Sequence, residues 1–140
     1  MIVYLFRHAR AGNREDWDGD DRLRPLDKRG RRQAEALVDQ LAGRELRLIL
    51  SSPYVRCVES VEPLARRRVL EVERDDALAE GAGAAAAFDL FGRSEGPLVA
   101  CVHGDLAFEL LGAKLKKGAT AVLELDGDGL EVRERLDPPA

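Results

Sequence analysis

Two continuous apolar runs, residues 2–6 and 98–102, constrain this chain more than any other feature. Each is the length of a strand and shows no polar alternation. A strand that is apolar at every position must be covered on both faces, as happens in a mostly parallel sheet flanked by helices. Both runs end abruptly, at Arg7 and His8 in the first case and at His103 in the second. A third run, Leu46, Leu48, Ile49 and Leu50, stops at Ser51, Ser52 and Pro53. In open α/β sheets ligands bind beyond the carboxyl ends of the strands, so Arg7 with His8, the stretch from Ser52 to Arg56, and His103 are where chemistry is expected.

The segments between these runs read as helices. Ala34, Leu37, Val38 and Leu41 recur at three and four over residues 28–41, with Gly43 as a stop signal. Val55, Val58, Val61, Leu64 and Ala65 mark a second helix, whose later turns Pro63 should weaken. Leu70 and Val72 predict a brief strand, residues 84–91 a helix of high propensity, and residues 106–111 another. Residues 121–125 and 130–136 predict two strands joined through Asp126, Gly127, Asp128 and Gly129, an Asp-Gly hairpin signal. Residues 9–25, rich in Gly, Asp and Arg, have no period and read as a loop, and residues 138–140 as a frayed tail. Strands alternating with helices predict a three-layer α/β/α sandwich with a mainly parallel sheet and a C-terminal antiparallel hairpin. At 140 residues the chain is expected to form one domain, residues 1–140, around one core.

Composition narrows the function. The chain has 22 basic and 26 acidic residues, a net charge of −4, which argues against nucleic acid or an anionic membrane as partner. With 45% apolar and 34% charged residues it suits a globular domain. No apolar run is long enough to span a bilayer, and residues 2–6 are too short for a signal-peptide core, so a cytoplasmic location is expected. Cys57 and Cys101 lack paired spacing and read as buried thiols, with neither a disulfide nor a zinc site expected.

Both histidines of the chain follow strands that should be central. Arg7, Arg56 and His103 would then converge with His8 on one edge of the sheet. Guanidinium forks match phosphate oxygens in geometry and charge, so this set describes a phosphoryl pocket. A neutral imidazole there can attack phosphorus and carry the phosphoryl group covalently, while the cations stabilise the equatorial oxygens. An isolated Arg-His pair reads as a strand-end histidine beside surface salt bridges; the conjunction of all four residues carries the functional reading. Other motifs are weaker. Gly81-Ala82-Gly83 imitates a dinucleotide loop without the preceding strand, Asp126 and Asp128 fit a hairpin better than a calcium loop, and the acidic residues at 16–21 read as a solvated loop.

The run Leu5-Phe6-Arg7-His8-Ala9, then Arg24-Pro25-Leu26-Asp27-Lys28-Arg29-Gly30 with Gln33-Ala34, then Ser52-Pro53-Tyr54-Val55-Arg56-Cys57, and finally Val102-His103-Gly104 resembles the histidine phosphatase, or phosphoglycerate-mutase-like, superfamily. The short SixA-type phosphohistidine phosphatase branch is the most similar part of it, and the phosphatase half of two-domain MutT-type Nudix proteins is also similar. The resemblance implies that His8 is the phosphorylated nucleophile, that Arg7, Arg56 and His103 form the phosphate pocket, and that Glu80 stands where the family keeps its proton donor. The alternative for Glu80 is a solvated loop carboxylate; Arg24 is either a substrate contact or a helix-capping residue near Asp27. The implied activity is metal-independent dephosphorylation through phospho-His8, with no cofactor. The expected substrate is phosphohistidine on a protein, the alternatives being a small phosphate ester or a weakly active phosphate-binding module. Three departures stand out: Ala9 replaces the superfamily's glycine, Asp105 brings a carboxylate next to His103, and Asn13 sits one residue too near His8 to match a mutase asparagine.

Overall fold

The computed structural model describes residues 1–127 and 129–139. Six strands form one sheet: β1 (Ile2–Arg7), β2 (Leu48–Ser51), β3 (Val72–Arg74), β4 (Leu98–Val102), β5 (Thr120–Asp126) and β6 (Gly129–Leu136), in the spatial order β3-β2-β4-β1-β5-β6. The first four in that order are parallel; β5 runs antiparallel to β1, and β6 antiparallel to β5. Among the described residues there are four α-helices: α1 (Lys28–Gln40), α2 (Val55–Arg68), α3 (Ala84–Gly92) and α4 (Gly104–Leu111).

The apolar runs are covered on both faces. Tyr4, Phe6, Ile49, Val99 and Cys101 pack with Leu37 of α1, with Leu41 that caps it, and with Val61, Leu64 and Ala65 of α2. The alternate residues Val3, Leu5, Leu98, Ala100 and Val102 pack with Ala87, Leu90 and Phe91 of α3 and with Leu106, Ala107 and Leu110 of α4. These are the expected three layers, and every residue of β4 is buried.

Several boundaries differ from the sequence reading, each for a local reason. Helix α2 runs through Pro63, as the apolar positions Leu64 and Ala65 imply, and ends three residues beyond them at Arg68. The lost Pro63 N–H costs one bond, but Val61, Leu64 and Ala65 are buried on either side of it, and that packing holds the turn. Strand β2 starts at Leu48, with Leu46 packed against the core from the preceding loop. Strand β3 omits Leu70, whose N–H instead donates to the Ala65 carbonyl to close α2. Helix α4 starts two residues early, at Gly104. The 9–25 loop contains two short 3-10 turns, Arg14–Asp16 and Asp21–Leu23, each capped by an Asn or Asp side chain. In the hairpin Asp126 pairs with Gly129; Asp128, and Ala140 of the tail, lie outside the described residues. Both cysteines are buried and free.

Candidate active site

The sheet register places three strand ends in a row. Arg7 lies beside Val102, and Ser51 beside Cys101. Pairing persists one residue further, since the His8 N–H donates to the Val102 carbonyl (3.0 Å) and the Ser52 N–H to the Cys101 carbonyl (3.0 Å). His8, Ser52 and His103 therefore leave the sheet at one level. Two helices begin there: Arg56 is in the first turn of α2, and His103 is the residue that caps α4. Their N-terminal dipoles add positive potential to the same rim.

The His8 ring is only 6% exposed, and its Nδ1 lies 2.8 Å from the Ala9 carbonyl. A carbonyl can only accept, so Nδ1 carries the proton and Nε2 keeps its lone pair. Burial, followed by the positive charge of His103, Arg56 and Arg7, lowers the His8 pKa to about 3 against the opposing pull of the Ala9 carbonyl. His8 is thus neutral at physiological pH. The turn is locked from behind: the Ala9 N–H donates to Ser60 Oγ (2.9 Å), whose hydroxyl donates to the Arg56 carbonyl (2.6 Å). The Ala9 methyl, where the superfamily has glycine, is buried against Ala11, Leu26 and Ala34.

His103 is 2% exposed, with its ring 5.4 Å from that of His8 and inclined at 67°. Its Nε2 is held by Ser52 Oγ (2.8 Å) and approached by Cys57 Sγ (3.5 Å), and the Tyr54 ring packs edge-on at 4.6 Å. Arg56, 1% exposed, lies over the Tyr54 ring at 5.0 Å. It donates to the Asp21 carbonyl (2.8 Å), to Asp21 Oδ2 (3.1 Å) and to Glu80 Oε2 (3.2 Å). Arg7 donates to the Leu115 carbonyl (2.8 Å) and lies flat on Gly104, where a Cβ would come within 2.7 Å of Arg7 Cζ. The buried Nε atoms of Arg7, Arg10 and Arg56 have no hydrogen-bond partner among the described residues.

All six residues singled out in the sequence, Arg7, His8, Arg24, Arg56, Glu80 and His103, line one cavity of about 740 Å³. Glu80 reaches it as an ion-paired carboxylate, bound by both oxygens to Arg14 Nη2 (2.9 and 3.2 Å) as well as to Arg56. Arg24 is buried and donates to the Ala11 carbonyl (2.6 Å) and Asp21 Oδ1 (3.0 Å). The cap of α1 is Asp27, through its bond to the Gly30 N–H (2.7 Å). Asn13 also lines the cavity but spends its side chain capping the Arg14–Asp16 turn. The Asp105 carboxylate accepts from the Gly81 N–H (2.7 Å), so it fastens the Glu80 loop to the start of α4.

A family model described as the histidine phosphatase superfamily (branch 1) matches residues 3–86, more than half of the chain. The chain belongs to this superfamily. An 8-oxo-(d)GTP phosphatase of Mycolicibacterium smegmatis is 36% identical to this histidine phosphatase over 156 aligned positions, covering 98% of the chain and 48% of that protein. The chain therefore spans about half the length of that curated relative. Among solved structures, SixA of Agrobacterium tumefaciens superposes with a TM-score of 0.75 at 26% identity, covering 98% of both chains. The protein histidine phosphatase SixA in complex with tungstate gives a TM-score of 0.75 at 21% identity, covering 99% of this chain and 97% of that one. YhfR of Bacillus stearothermophilus gives 0.77 at 18%, covering 94% of each. The family match and the curated relative mark the chain as a phosphatase, and the solved structures below 25% identity bear on the fold alone.

Sequence reasoning missed Asp21, Arg14, Lys114 and Lys117 in the site of this histidine phosphatase. Asp21 pairs with Arg14, Arg24 and Arg56 and so organises the cationic wall. Partial burial raises its carboxyl, but those guanidiniums outweigh the burial and hold it below the ordinary carboxylate range. Nothing marked Asp21 out among the neighbouring aspartates, because its role depends on how an aperiodic loop folds over α2.

Proposed function

We propose that this histidine phosphatase transfers a phosphoryl group from its substrate to Nε2 of His8 and then hydrolyses the phosphohistidine. The observation that carries this reading is the bond from Nδ1–H to the Ala9 carbonyl in a buried, neutral ring, which leaves Nε2 as the nucleophile inside a wall of cations. In the first step the Nε2 lone pair forms the N–P bond and the leaving oxygen departs with the P–O electron pair. Arg7, Arg56 and His103 face the equatorial oxygens and supply the charge that a divalent ion supplies in other phosphoryl transfers. In the second step water attacks phosphorus and passes a proton to Glu80, the N–P bond breaks with its electron pair returning to Nε2, and inorganic phosphate leaves. Glu80 is the carboxylate that lines the cavity with His8, and its ion pairs with Arg14 and Arg56 hold it there as the group to receive that proton.

An ion-paired Glu80 is less suited to protonating a leaving group, so the favoured substrates are those whose leaving group departs without that proton. Small phosphate compounds with stable leaving anions meet this condition, and the relative named for a nucleotide substrate at 36% identity supports that class. The second reading is phosphohistidine on a protein, whose imidazole leaves readily; the resemblance to SixA at 26% identity favours it. Phosphate release followed by phosphorus NMR at neutral pH, from p-nitrophenyl phosphate and from a phosphohistidine-bearing carrier protein, tests both. Turnover lost in His8→Ala is expected; equal rates for wild type and variant on both substrates would overturn the covalent reading.

A further inference from the structure

The cavity is electrostatically lopsided. On the Glu80 side every guanidinium has an acid partner: Arg14, Arg24 and Arg56 pair with Asp21 or Glu80. On the other side the cavity continues into a second concavity of about 550 Å³, which shares Arg7, Arg10, Lys114 and Lys117 with the first and adds Arg29 and Lys116. None of these six cations forms a salt bridge among the described residues, and the concavity contains one carboxylate, Asp137. Such a collection is unexpected in a chain of net charge −4.

Arg29, Lys114 and Lys116 have exposed side chains, but the backbone that presents the lysines is fixed. The turn carrying Lys114 to Lys117 is pinned to the nucleophile strand at both ends: the Leu115 carbonyl accepts from Arg7 Nη1 (2.8 Å), and the Gly118 N–H donates to the carbonyls of Arg7 (3.0 Å) and His8 (3.2 Å). The Arg10 N–H is held by Gln33 Oε1 (3.0 Å), while its buried Nε has no partner. Lys117 is partly buried, and burial followed by the charges of Arg7, Arg10 and Arg24 pulls its pKa down against a smaller opposing pull from Asp27. Like charges are therefore held together at a mutual cost, which an anion between them would offset.

We propose that Arg10, Arg29, Lys114 and Lys117 form a second anion subsite that holds a further phosphoryl group of the same substrate, so that the preferred substrates are small molecules with two or more linked phosphoryl groups. This rests on the phospho-His8 reading for the group transferred. Attack by His8 on the terminal phosphorus breaks the P–O bond to the bridging oxygen, which keeps the electron pair and leaves on the inner phosphate. That anion needs no proton from Glu80, and the lysines and arginines neutralise it. Water then releases the terminal group as inorganic phosphate. Concavities of this size suit a small ligand better than the broad contact of an acidic protein face.

Calorimetry on His8→Ala, which binds without turnover, tests the subsite directly. Pyrophosphate is expected to bind at least about tenfold more tightly than orthophosphate, a ratio worth about 1.4 kcal/mol. Adding Lys114→Ala and Lys117→Ala should bring the ratio close to one. Equal affinities for the two anions, or a ratio that survives the lysine changes, would overturn the subsite, as would a glutamate-rich phosphopeptide outcompeting pyrophosphate. Turnover of ADP and AMP by the unaltered protein is read in parallel. A failure of the subsite leaves His8-dependent turnover intact without preference for ADP, whereas a failure of the phospho-His8 reading leaves turnover of both unchanged in His8→Ala.

Discussion

Replacing Gly104 with alanine isolates the positioning of the Arg7 guanidinium, the proposed phosphate clamp, from the stability of the fold. A Cβ at this position would lie 2.7 Å from Arg7 Cζ, 2.8 Å from Nη2 and 2.9 Å from Nε. Carbon contacts are comfortable at about 3.5 Å, so the guanidinium must retreat by about 0.8 Å. It cannot do so freely, because Nη1 is tied to the Leu115 carbonyl at 2.8 Å. A misplacement of about 1 Å in a group that orients the reacting centre costs on the order of 100-fold in rate. The backbone is unaffected, since Gly104 is the first residue of α4 and not among the glycines with positive φ, and alanine gains up to about 1 kcal/mol of helix propensity over glycine. The expected result is a loss of about 30- to 100-fold in kcat/KM for p-nitrophenyl phosphate, with a melting temperature equal to or above that of the parent. A kcat/KM within about twofold of the parent would refute the argument that Gly104 sets the position of Arg7.

Three further outcomes follow from the same geometry. With a His8 pKa of about 3, the ring should show no proton-NMR titration between pH 8 and 5, where an ordinary histidine would titrate near 6.5; a shift near 6.5 in the resonance lost in His8→Asn would contradict it. The linked stability effect has a defined sign: the unfolded chain takes up the proton first, so His8 favours folding fully above about 6.5 and loses that contribution as pH falls toward 3, at up to about 1.4 kcal/mol per unit. Urea midpoints for His8→Asn should accordingly fall less over this window than those of the parent. Glu80→Gln should slow hydrolysis of the phosphoenzyme by about 10²- to 10⁴-fold and let it accumulate in quenched samples; unchanged turnover would remove Glu80 from the mechanism. Gly30→Ala should destabilise the fold by about 1–3 kcal/mol or more in chemical denaturation, because its Cβ would fall 1.8 Å from the Arg10 carbonyl oxygen and force α1 from the loop that carries Arg10; unaltered stability would contradict that packing.

The apolar runs at residues 2–6 and 98–102 fixed the parallel strands at sequence level because no other element buries such runs on both faces. Positions after those strands were legible for the same reason, and Arg7, His8, Arg56 and His103 do converge. What the sequence hid lies in aperiodic segments. The aspartates at 16–21 look alike as letters, yet Asp21 alone among them pairs with Arg56, while Asp20 caps its own turn. Lys114 and Lys117 reach the site only because the Leu115 carbonyl and the Gly118 N–H are captured by β1, a long-range event without local signature. Helix α2 was legible through Ala65, beyond Pro63, from its apolar spacing, and only its last three residues, Arg66 to Arg68, lay outside that pattern.

The claim on which the account turns is that the phosphoryl group passes through Nε2 of His8. Mixing the protein with p-nitrophenyl phosphate, quenching in alkali, where phosphohistidine survives, and locating the label by peptide mass spectrometry and phosphorus NMR tests this directly. One phosphoryl group on the His8 peptide is expected, bonded at Nε2, labile to acid and absent from His8→Ala. Turnover without label at His8, or label at Nδ1 or on another residue, would contradict it.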